Sequence, residues 1–189
     1  LSGFGGDDIF QIGGGRDTIA GGDGDDTIQI AAASDVSNGI DLSGGNGTDT
    51  ISLTSTSISS LIIPKLNTSI ATTETFDLSG GAAGGVTLDM SGNELDRMTN
   101  FLGDGSADVI KVSTNDFNAQ GKTFNGIETI TLTQVVGSNP DNLTGSSQEI
   151  TFDGSTSISG LNNLTGTLNS SSVADDDLVL EGSVDLSGI

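Results

Sequence analysis

The chain has no cysteine, histidine, tryptophan or tyrosine, and only 5 lysine and arginine side chains among its 189 residues. Without cysteine it can form neither disulfide bonds nor thiolate metal sites. Without histidine it cannot assemble a zinc-hydrolase motif or a Ser-His-Asp triad. No apolar run approaches the length that a membrane-spanning helix needs. These absences argue against an enzyme and against membrane insertion.

Positive charge is scarce beside the 26 acidic side chains, which leave a net charge of −21. Phosphate binding requires a basic surface, so we expect no nucleic-acid partner. Self-repulsion at this charge destabilises a compact chain unless bound cations neutralise part of it.

What the chain does have is a nine-residue frame, G-G-x-G-x-D-x-U-x, in which U is a large apolar residue. Segments 21–29 and 44–52 fit it without a mismatch. Segment 2–10 fits with Ser2 at the first position, and segment 12–20 fits with Ile12 there, after one inserted residue, Gln11. Position six is then Asp7, Asp17, Asp26 and Asp49, and position eight, expected to point inward, is Ile9, Ile19, Ile28 and Ile51.

The frame suits calcium, which takes six to eight oxygen ligands from carboxylates and backbone carbonyls. Glycines permit the positive φ angles that aim carbonyls inward. Gly/Asp turns without a metal are the alternative, but they do not explain the fixed Asp-x-Ile register. The predicted metal-binding residues are Gly3, Gly5, Asp7, Gly13, Gly15, Asp17, Gly21, Asp23, Gly24, Asp26, Gly44, Asn46, Gly47 and Asp49.

These four nonamers resemble the RTX (repeats-in-toxin) family of calcium-binding proteins, over roughly the first quarter of the chain. The resemblance implies a β-roll, in which each nonamer is one turn and one strand and two nonamers make one coil. Turns 2–7, 21–26 and 44–49 would then stack in one column, with calcium between neighbours. Turn 12–17 would face the other way, beside the irregular segment 31–39, where calcium is less expected.

Strand patterns continue after residue 53, where an acidic residue is followed by alternating apolar and polar residues, as in 108–112 and 128–132. Their spacing of about 20 to 30 residues fits the coils of a solenoid. We therefore predict an all-β fold, a right-handed parallel β-solenoid. Residues 1–53 would form the calcium β-roll, and residues 54–189 would continue as a broader β-helix with longer turns.

Four segments are predicted with less regularity. Residues 92–102 and 114–120 could form short helices, the first with Asn93 as its N-cap. Segment 54–75 is either an inserted loop or a poorly patterned coil. Segment 103–110 looks like a degenerate nonamer with one added residue, and it gives either a further calcium site at Asp104 and Asp108 or an ordinary turn, which is slightly favoured.

The RTX resemblance implies a bacterial protein exported by type I secretion, which folds with calcium outside the cell. The Thr/Ser-rich residues that follow the nonamers resemble RTX-type surface-layer proteins, which favours a structural module of a surface layer, fibril or matrix. Its expected partners are copies of itself, with cell-surface polysaccharide as a further candidate, and calcium is the only cofactor expected. The alternatives are a segment of a large adhesin and the secretion and folding module of an enzyme or toxin.

Overall fold

The computed structural model describes residues 1–63, 69–113, 117–118, 121–133, 149–152, 157–159, 163–166 and 177–180. It contains a short α-helix, α1 (Gly92–Arg97), and a 3₁₀ helix, Ala33–Val36. The strands, in chain order, are β1 (Ser2–Gly5), β2 (Ile9–Gln11), β3 (Asp17–Asp23), β4 (Thr27–Ile30), β5 (Ile40–Asn46), β6 (Thr50–Leu53), β7 (Ser60–Ile62), β8 (Ser69–Ala71), β9 (Thr75–Asp77), β10 (Thr87–Ser91), β11 (Asn100–Leu102), β12 (Val109–Ser113), β13 (Phe117–Asn118), β14 (Thr123–Asn125), β15 (Thr129–Thr133), β16 (Glu149–Phe152), β17 (Ser157–Ser159), β18 (Asn163–Gly166) and β19 (Asp177–Leu180).

Four parallel sheets run along the molecule, each built from strands of successive coils. Sheet A has the order β1-β3-β5-β8, and sheet B has the order β2-β4-β6-β9-β11-β14-β17. Sheet C has the order β7-β10-β12-β15-β18, and sheet D the order β13-β16-β19. Each paired strand lies parallel to its neighbour one coil away, as in the pairs β3–β5, β6–β9 and β12–β15. The predicted all-β parallel solenoid is therefore confirmed.

The first coils alternate between sheets A and B only. Ser2 pairs with Ala20, and Ile9 pairs with Thr27, so two nonamers make one coil. Ile19, Ile28 and Ile51 are at most 2% exposed, because successive strand side chains point to opposite faces and these face the interior. Ile9 is 71% exposed, so the prediction that it points inward is wrong. The neighbouring Phe10 packs against the core in its place.

A third strand joins each coil from β7 onward, and sheet C starts there. Segment 54–75 is thus not an inserted loop, because it contributes β7 and β8 to two different sheets. The 3₁₀ helix packs against β7. The coils therefore change from two sheets to three at the part of the sequence that has the least regular pattern.

Helix α1 covers the end of sheet A, where it packs against β8. Arg97 Nη1 donates to the carbonyl oxygen of Ile70 in β8 at 2.6 Å. The buried Lys122, from the next coil, donates through Nζ to the carbonyls of Leu95, Asp96 and Met98 at 3.0, 3.3 and 2.7 Å. Burial lowers the pKa of Lys122, and the charge of Asp96 partly opposes this. A helix end and a sheet edge are thereby supplied with donors.

Both predicted helices differ from the structure. The first spans only Gly92–Arg97 with Ser91, not Asn93, as its N-cap, and residues 100–102 form strand β11. Parallel pairing of Phe101 with Phe76 fixes that strand and overrides the apolar periodicity of the segment. In segment 114–120, Phe117–Asn118 is strand β13, and the other residues lie outside the described part of the chain. Among the described residues, no helix is both long and apolar enough to cross a membrane.

Candidate metal centre

The turns that lead from sheet A to sheet B lie one above another, and we call this stack the A–B column. Its members are the segments between paired strands, at residues 6–8, 24–26, 47–49 and 72–74. The column places turns 21–26 and 44–49 together, as predicted. It also contains a fourth turn, 72–74, which has no glycine and no nonamer.

The first nonamer is shifted by one residue from its predicted frame. Because Ile9 pairs with Thr27, the residue that matches Asp26 is Asp8 and not Asp7. The nonamers are then 3–11, 12–20 and 21–29 in uninterrupted succession, with Gln11 as the ninth residue of the first. In this frame Phe4 takes the place of the second glycine and has a φ of 75°, in the left-handed region.

Carboxylates of successive coils form a hydrogen-bonded ladder through the A–B column. Oδ1 of Asp26 accepts the backbone N–H of Asp8 at 2.8 Å. Oδ1 of Asp49 accepts that of Asp26 at 2.8 Å, and Oε2 of Glu74 accepts that of Asp49 at 2.8 Å. Each carboxylate is thus held against the coil that precedes it.

The second oxygen of each ladder aspartate has no partner. Oδ2 of Asp8, Asp26 and Asp49 is buried and accepts no hydrogen bond from any described residue. Asp26 is 1% exposed and Asp49 is fully buried. Leaving a buried acceptor unsatisfied costs about 1–3 kcal/mol, and more when the group is charged. A ligand that supplies positive charge would partner all three oxygens of the column.

Each unpartnered oxygen lies in a cradle formed by a glycine and a carbonyl of the next coil. A methyl group at Gly21 would overlap Oδ2 of Asp26 and the carbonyl oxygen of Gly44. A methyl group at Gly3 would meet Oδ2 of Asp8 and the carbonyl oxygen of Gly21. The absence of Cβ at position one thus lets a carboxylate oxygen and a backbone carbonyl of adjacent coils come close together.

The outer residues of these turns hydrogen-bond between coils. Oδ1 of Asp7 accepts the N–H of Asp25 at 2.9 Å, and Nδ2 of Asn46 donates to Oδ1 of Asp23 at 2.8 Å. Gly24 and Gly47 have φ angles of 128° and 135°, which side chains other than glycine rarely adopt. Gly5 lies against Asp23 of the next coil. Asp7 is therefore an exposed neighbour of the ladder and not a member of it.

The pKa of Asp49 is shifted in the direction that its burial implies. Burial raises the pKa of Asp49, and the charges of Glu74, Asp26 and Asp25 raise it further, while the N–H of Asp26 opposes them. A nearby cation would favour the ionised form.

The donors of the column fit calcium, which is a hard cation that takes oxygen ligands only from carboxylates, carbonyls and water. Nowhere in the described part of the chain do three or more acidic side chains converge into a metal-binding group. A cation in this column would therefore draw most of its protein ligands from backbone carbonyls and one from an unpartnered carboxylate oxygen.

The opposite side of the roll lacks these features. Asp17 is only partly buried, and its Oδ2 accepts the N–H of Gly13, in its own turn, at 3.2 Å. A methyl group at Gly13 or Gly15 would meet no atom within 4 Å. The neighbouring segment 31–39 contains the 3₁₀ helix instead of a matching turn. The structure therefore does not bring Gly13, Gly15 and Asp17 together with a second set of ligands.

Asp108 occupies the position-six place at another corner, between sheets B and C, and is 1% exposed. Its Oδ1 accepts the N–H of Val86 at 2.7 Å, and its Oδ2 accepts that of Asp104 at 3.1 Å. Burial raises the pKa of Asp108, whereas hydrogen bonds from Ser106 lower that of Asp104. A methyl group at Gly103 would meet Oδ2 of Asp108 and the carbonyl oxygen of Gly126, as in the A–B column, but both oxygens of Asp108 are already partnered, as in an ordinary turn.

The sequence prediction missed Asp8, Thr72 and Glu74. Asp8 could have been found from the uninterrupted nonamers that begin at Gly3. Glu74 carries a weaker signal, because Glu74-Thr75-Phe76 repeats the acid-Thr-apolar start of β4 and β6. Thr72 carries no sequence signal, and only its φ of 47° marks it. Comparison of the chain with protein-family models, with curated proteins and with solved structures gives no match.

Proposed function

We propose that this chain is a calcium-stabilised solenoid of the RTX kind, which serves as a structural module of a secreted bacterial surface protein. The proposal is supported by a column of three carboxylates, each with a buried oxygen that no donor among the described residues reaches. Calcium supplies the positive charge that these oxygens lack, and the stacked glycines leave room for it. Folding is then coupled to calcium, because the cradle exists only when neighbouring coils are stacked.

The location of folding follows from the same coupling. A chain of charge −21 with unpartnered carboxylates is poorly stable where free calcium is scarce. It gains stability where calcium is abundant, as outside a cell. Export as an unfolded chain, followed by folding in the extracellular medium, fits this behaviour and fits the type I route that the RTX resemblance implies.

A structural role is supported by the surface of the solenoid. Polar side chains lie in register on the outer face of sheet B, as in Thr27 beside Thr50 and Gln29 beside Ser52. Calcium can also bridge acidic surfaces, so we expect copies of the protein to associate.

Thermal unfolding of the full chain tests the calcium proposal. With saturating calcium the protein should show cooperative unfolding, and in chelator it should be much less stable or unfolded. Magnesium at the same concentration is the control, since its smaller ion demands a tighter octahedral geometry. Equal stability in calcium and in chelator would refute the proposal.

Self-association has its own test, which is light scattering during a calcium titration, followed by electron microscopy. Ordered sheets or fibres that form only with calcium support the structural role. A protein that folds with calcium but stays monomeric would instead favour an adhesin segment or an enzyme-accessory module.

A further inference from the structure

We propose that the A–B column holds a third cation site beyond the last glycine-rich turn, closed by Thr72 and Glu74 of the fourth coil. This inference rests on the proposed calcium binding and extends it to a turn that contains no nonamer. It gives residues 72–74, which follow no recognisable motif, a defined role in metal binding.

Asp49 is the first residue that points to this site. Its side chain is fully buried, its Oδ1 accepts the N–H of Asp26, and its Oδ2 has no partner. Asp26 is in the same state, and Oδ2 of the less buried Asp8 likewise has no partner among the described residues, but each of these two residues faces a glycine-rich turn of the next coil. Asp49 faces turn 72–74, so a site that depended on two nonamers would leave this oxygen without a ligand.

The fourth coil also reproduces the cradle, although it lacks the glycine-rich motif. A methyl group at Gly44 would meet Oδ2 of Asp49 and the carbonyl oxygen of Thr72. The same construction at Gly21 meets Oδ2 of Asp26 and the carbonyl oxygen of Gly44. Thr72 therefore presents its carbonyl at the place that a position-one glycine takes in the coil below.

Thr72 is fixed in this place by several contacts. Its φ of 47° lies in the left-handed region, which a β-branched residue adopts only when its surroundings impose it. Its Oγ1 accepts the N–H of Gly45 at 3.0 Å and lies 3.1 Å from Oγ of Ser43. Its carbonyl oxygen also lies 3.3 Å from the N of Gly45. The turn is thus anchored to the coil that carries the unpartnered carboxylate.

Negative charge also accumulates at this end of the A–B column. Glu74 takes the ladder position, since Thr50 pairs with Thr75, and its Oε2 accepts the N–H of Asp49 at 2.8 Å. Asp26 and Asp49 make the same contact with the coils below them. Three residues run from Thr72 to Glu74, whereas six run from Gly44 to Asp49, and the longer glutamate side chain spans this shorter turn. Glu74 thereby places a second negative charge beside the buried carboxylate of Asp49. The carboxylate of Asp49 and the carbonyl of Thr72 are oxygen ligands of the kind that calcium takes, and Glu74 adds negative charge beside them.

Native mass spectrometry of the calcium-loaded full chain, together with calorimetric titration, tests the site. Asp49→Asn keeps the acceptor for Asp26 and replaces only the unpartnered oxygen, so it should bind one calcium fewer than the natural sequence. Glu74→Gln keeps the acceptor for Asp49 and removes only charge. It should weaken one site by about 10- to 100-fold, as changes beside metal ligands commonly do.

The matched control is Glu128→Gln. Oε2 of Glu128 accepts the N–H of Asp108 at 2.7 Å, in the same way as Glu74 serves Asp49, but Asp108 has no unpartnered oxygen. Calcium number and affinity should therefore stay unchanged in Glu128→Gln. Circular dichroism of each calcium-loaded variant checks that the solenoid has formed. If Asp49→Asn does not fold, the milder Glu74→Gln decides the question.

The outcomes separate this inference from the proposal on which it rests. If Asp26→Asn loses one calcium while Asp49→Asn and Glu74→Gln bind as the natural sequence does, the third site is refuted and calcium binding at the glycine-rich turns stands. If the natural sequence binds no calcium, the proposed function fails and this site fails with it. A loss of one calcium in Asp49→Asn with weakened binding in Glu74→Gln supports the site.

Discussion

Asp49 and Asp108 occupy matching places in two regions of the solenoid, yet their second oxygens differ. Both side chains are at most 1% exposed, and both receive a backbone N–H from the preceding coil. Both donate their own N–H to a glutamate of the next coil. Oδ2 of Asp49 has no partner, whereas Oδ2 of Asp108 accepts the N–H of Asp104. A buried carboxylate at this place in a coil is therefore either hydrogen-bonded through both oxygens, as at Asp108, or left with one oxygen that has no partner among the described residues, as at Asp49.

The placement of glycine separates the two turns. Counting from Gly103 as position one, Asp108 is position six and Ile110 is position eight, without an added residue. Positive φ falls on positions two and four in turn 21–26, at Gly22 and Gly24, but on position three in turn 103–108, at Gly105. In the second arrangement the N–H of Asp104 reaches the carboxylate. Shifted glycines therefore accompany the extra hydrogen bond that partners Oδ2 of Asp108.

Removing calcium should separate the two regions most strongly. At a hundredfold excess over its dissociation constant, each bound calcium stabilises the folded state by about 2.7 kcal/mol. Amide hydrogen exchange in chelator should therefore show large losses of protection at Asp8, Asp26 and Asp49, with smaller losses at Asp108. Equal loss at all four amides would show that the two regions unfold as one unit.

The loss of stability should depend on calcium in Asp26→Asn but not in Asp108→Asn. In Asp108→Asn the amide nitrogen faces an N–H donor, so one buried hydrogen bond is lost at a cost of about 1–3 kcal/mol, with or without calcium. In Asp26→Asn the ladder bond to Asp8 is kept and only the unpartnered oxygen changes. Its destabilisation should appear with calcium and vanish in chelator, as measured by thermal unfolding under both conditions.

Acidity should stabilise the calcium-free protein. Burial raises the pKa of both Asp49 and Asp108 above the ordinary value of 3.8. A raised pKa means that the folded state binds the proton more tightly, so this stabilisation is fully present below 3.8 and is lost as pH rises through the raised pKa. Melting temperatures without calcium should therefore increase as the pH falls through the raised pKa values toward 3.8.

The share of each carboxylate in this pH dependence can be separated. In calcium-free buffer, Asp49→Asn should make the melting temperature depend less steeply on pH. Saturating calcium should remove the contribution of Asp49, because the cation favours the ionised carboxylate, and leave that of Asp108. A slope that calcium does not alter would contradict the assignment of Asp49 to a cation site.

Asp17→Asn should have the smallest effect. Asp17 is partly exposed and accepts a hydrogen bond only from Gly13 of its own turn, a bond that asparagine can also accept. Calcium titration by calorimetry should give nearly the same number of sites as in the natural sequence. A loss equal to that in Asp26→Asn would reveal a second functional column on the opposite side of the roll.

The sequence predicted the solenoid and most of the A–B column because both depend on short repeats. It failed at Asp7 and Asp8, because adjacent acids fit the frame in two registers and only the pairing of Ile9 with Thr27 decides between them. It missed Glu74, because the acid-Thr-apolar start that Glu74 shares with β4 and β6 is short and no glycine cluster precedes it.

The third sheet was also beyond the reach of local pattern. Strands β7 and β8 have three residues each, so alternation is too short to mark them. Helix α1 was predicted too long for the opposite reason, since apolar periodicity extends into residues that pair with β9 as strand β11. In both places the identity of the element is decided by the adjacent coil.

Helix α1 and Lys122 together show how a solenoid can change its cross-section within one chain. A strand edge left open at such a junction would invite pairing with another molecule. Here the junction is closed from both sides, by Arg97 on the carbonyl of Ile70 and by Lys122 on the carbonyls of the helix end. A six-residue helix and two basic side chains thus end one sheet while the neighbouring sheets continue. The same combination offers a way to end one sheet of an engineered β-roll.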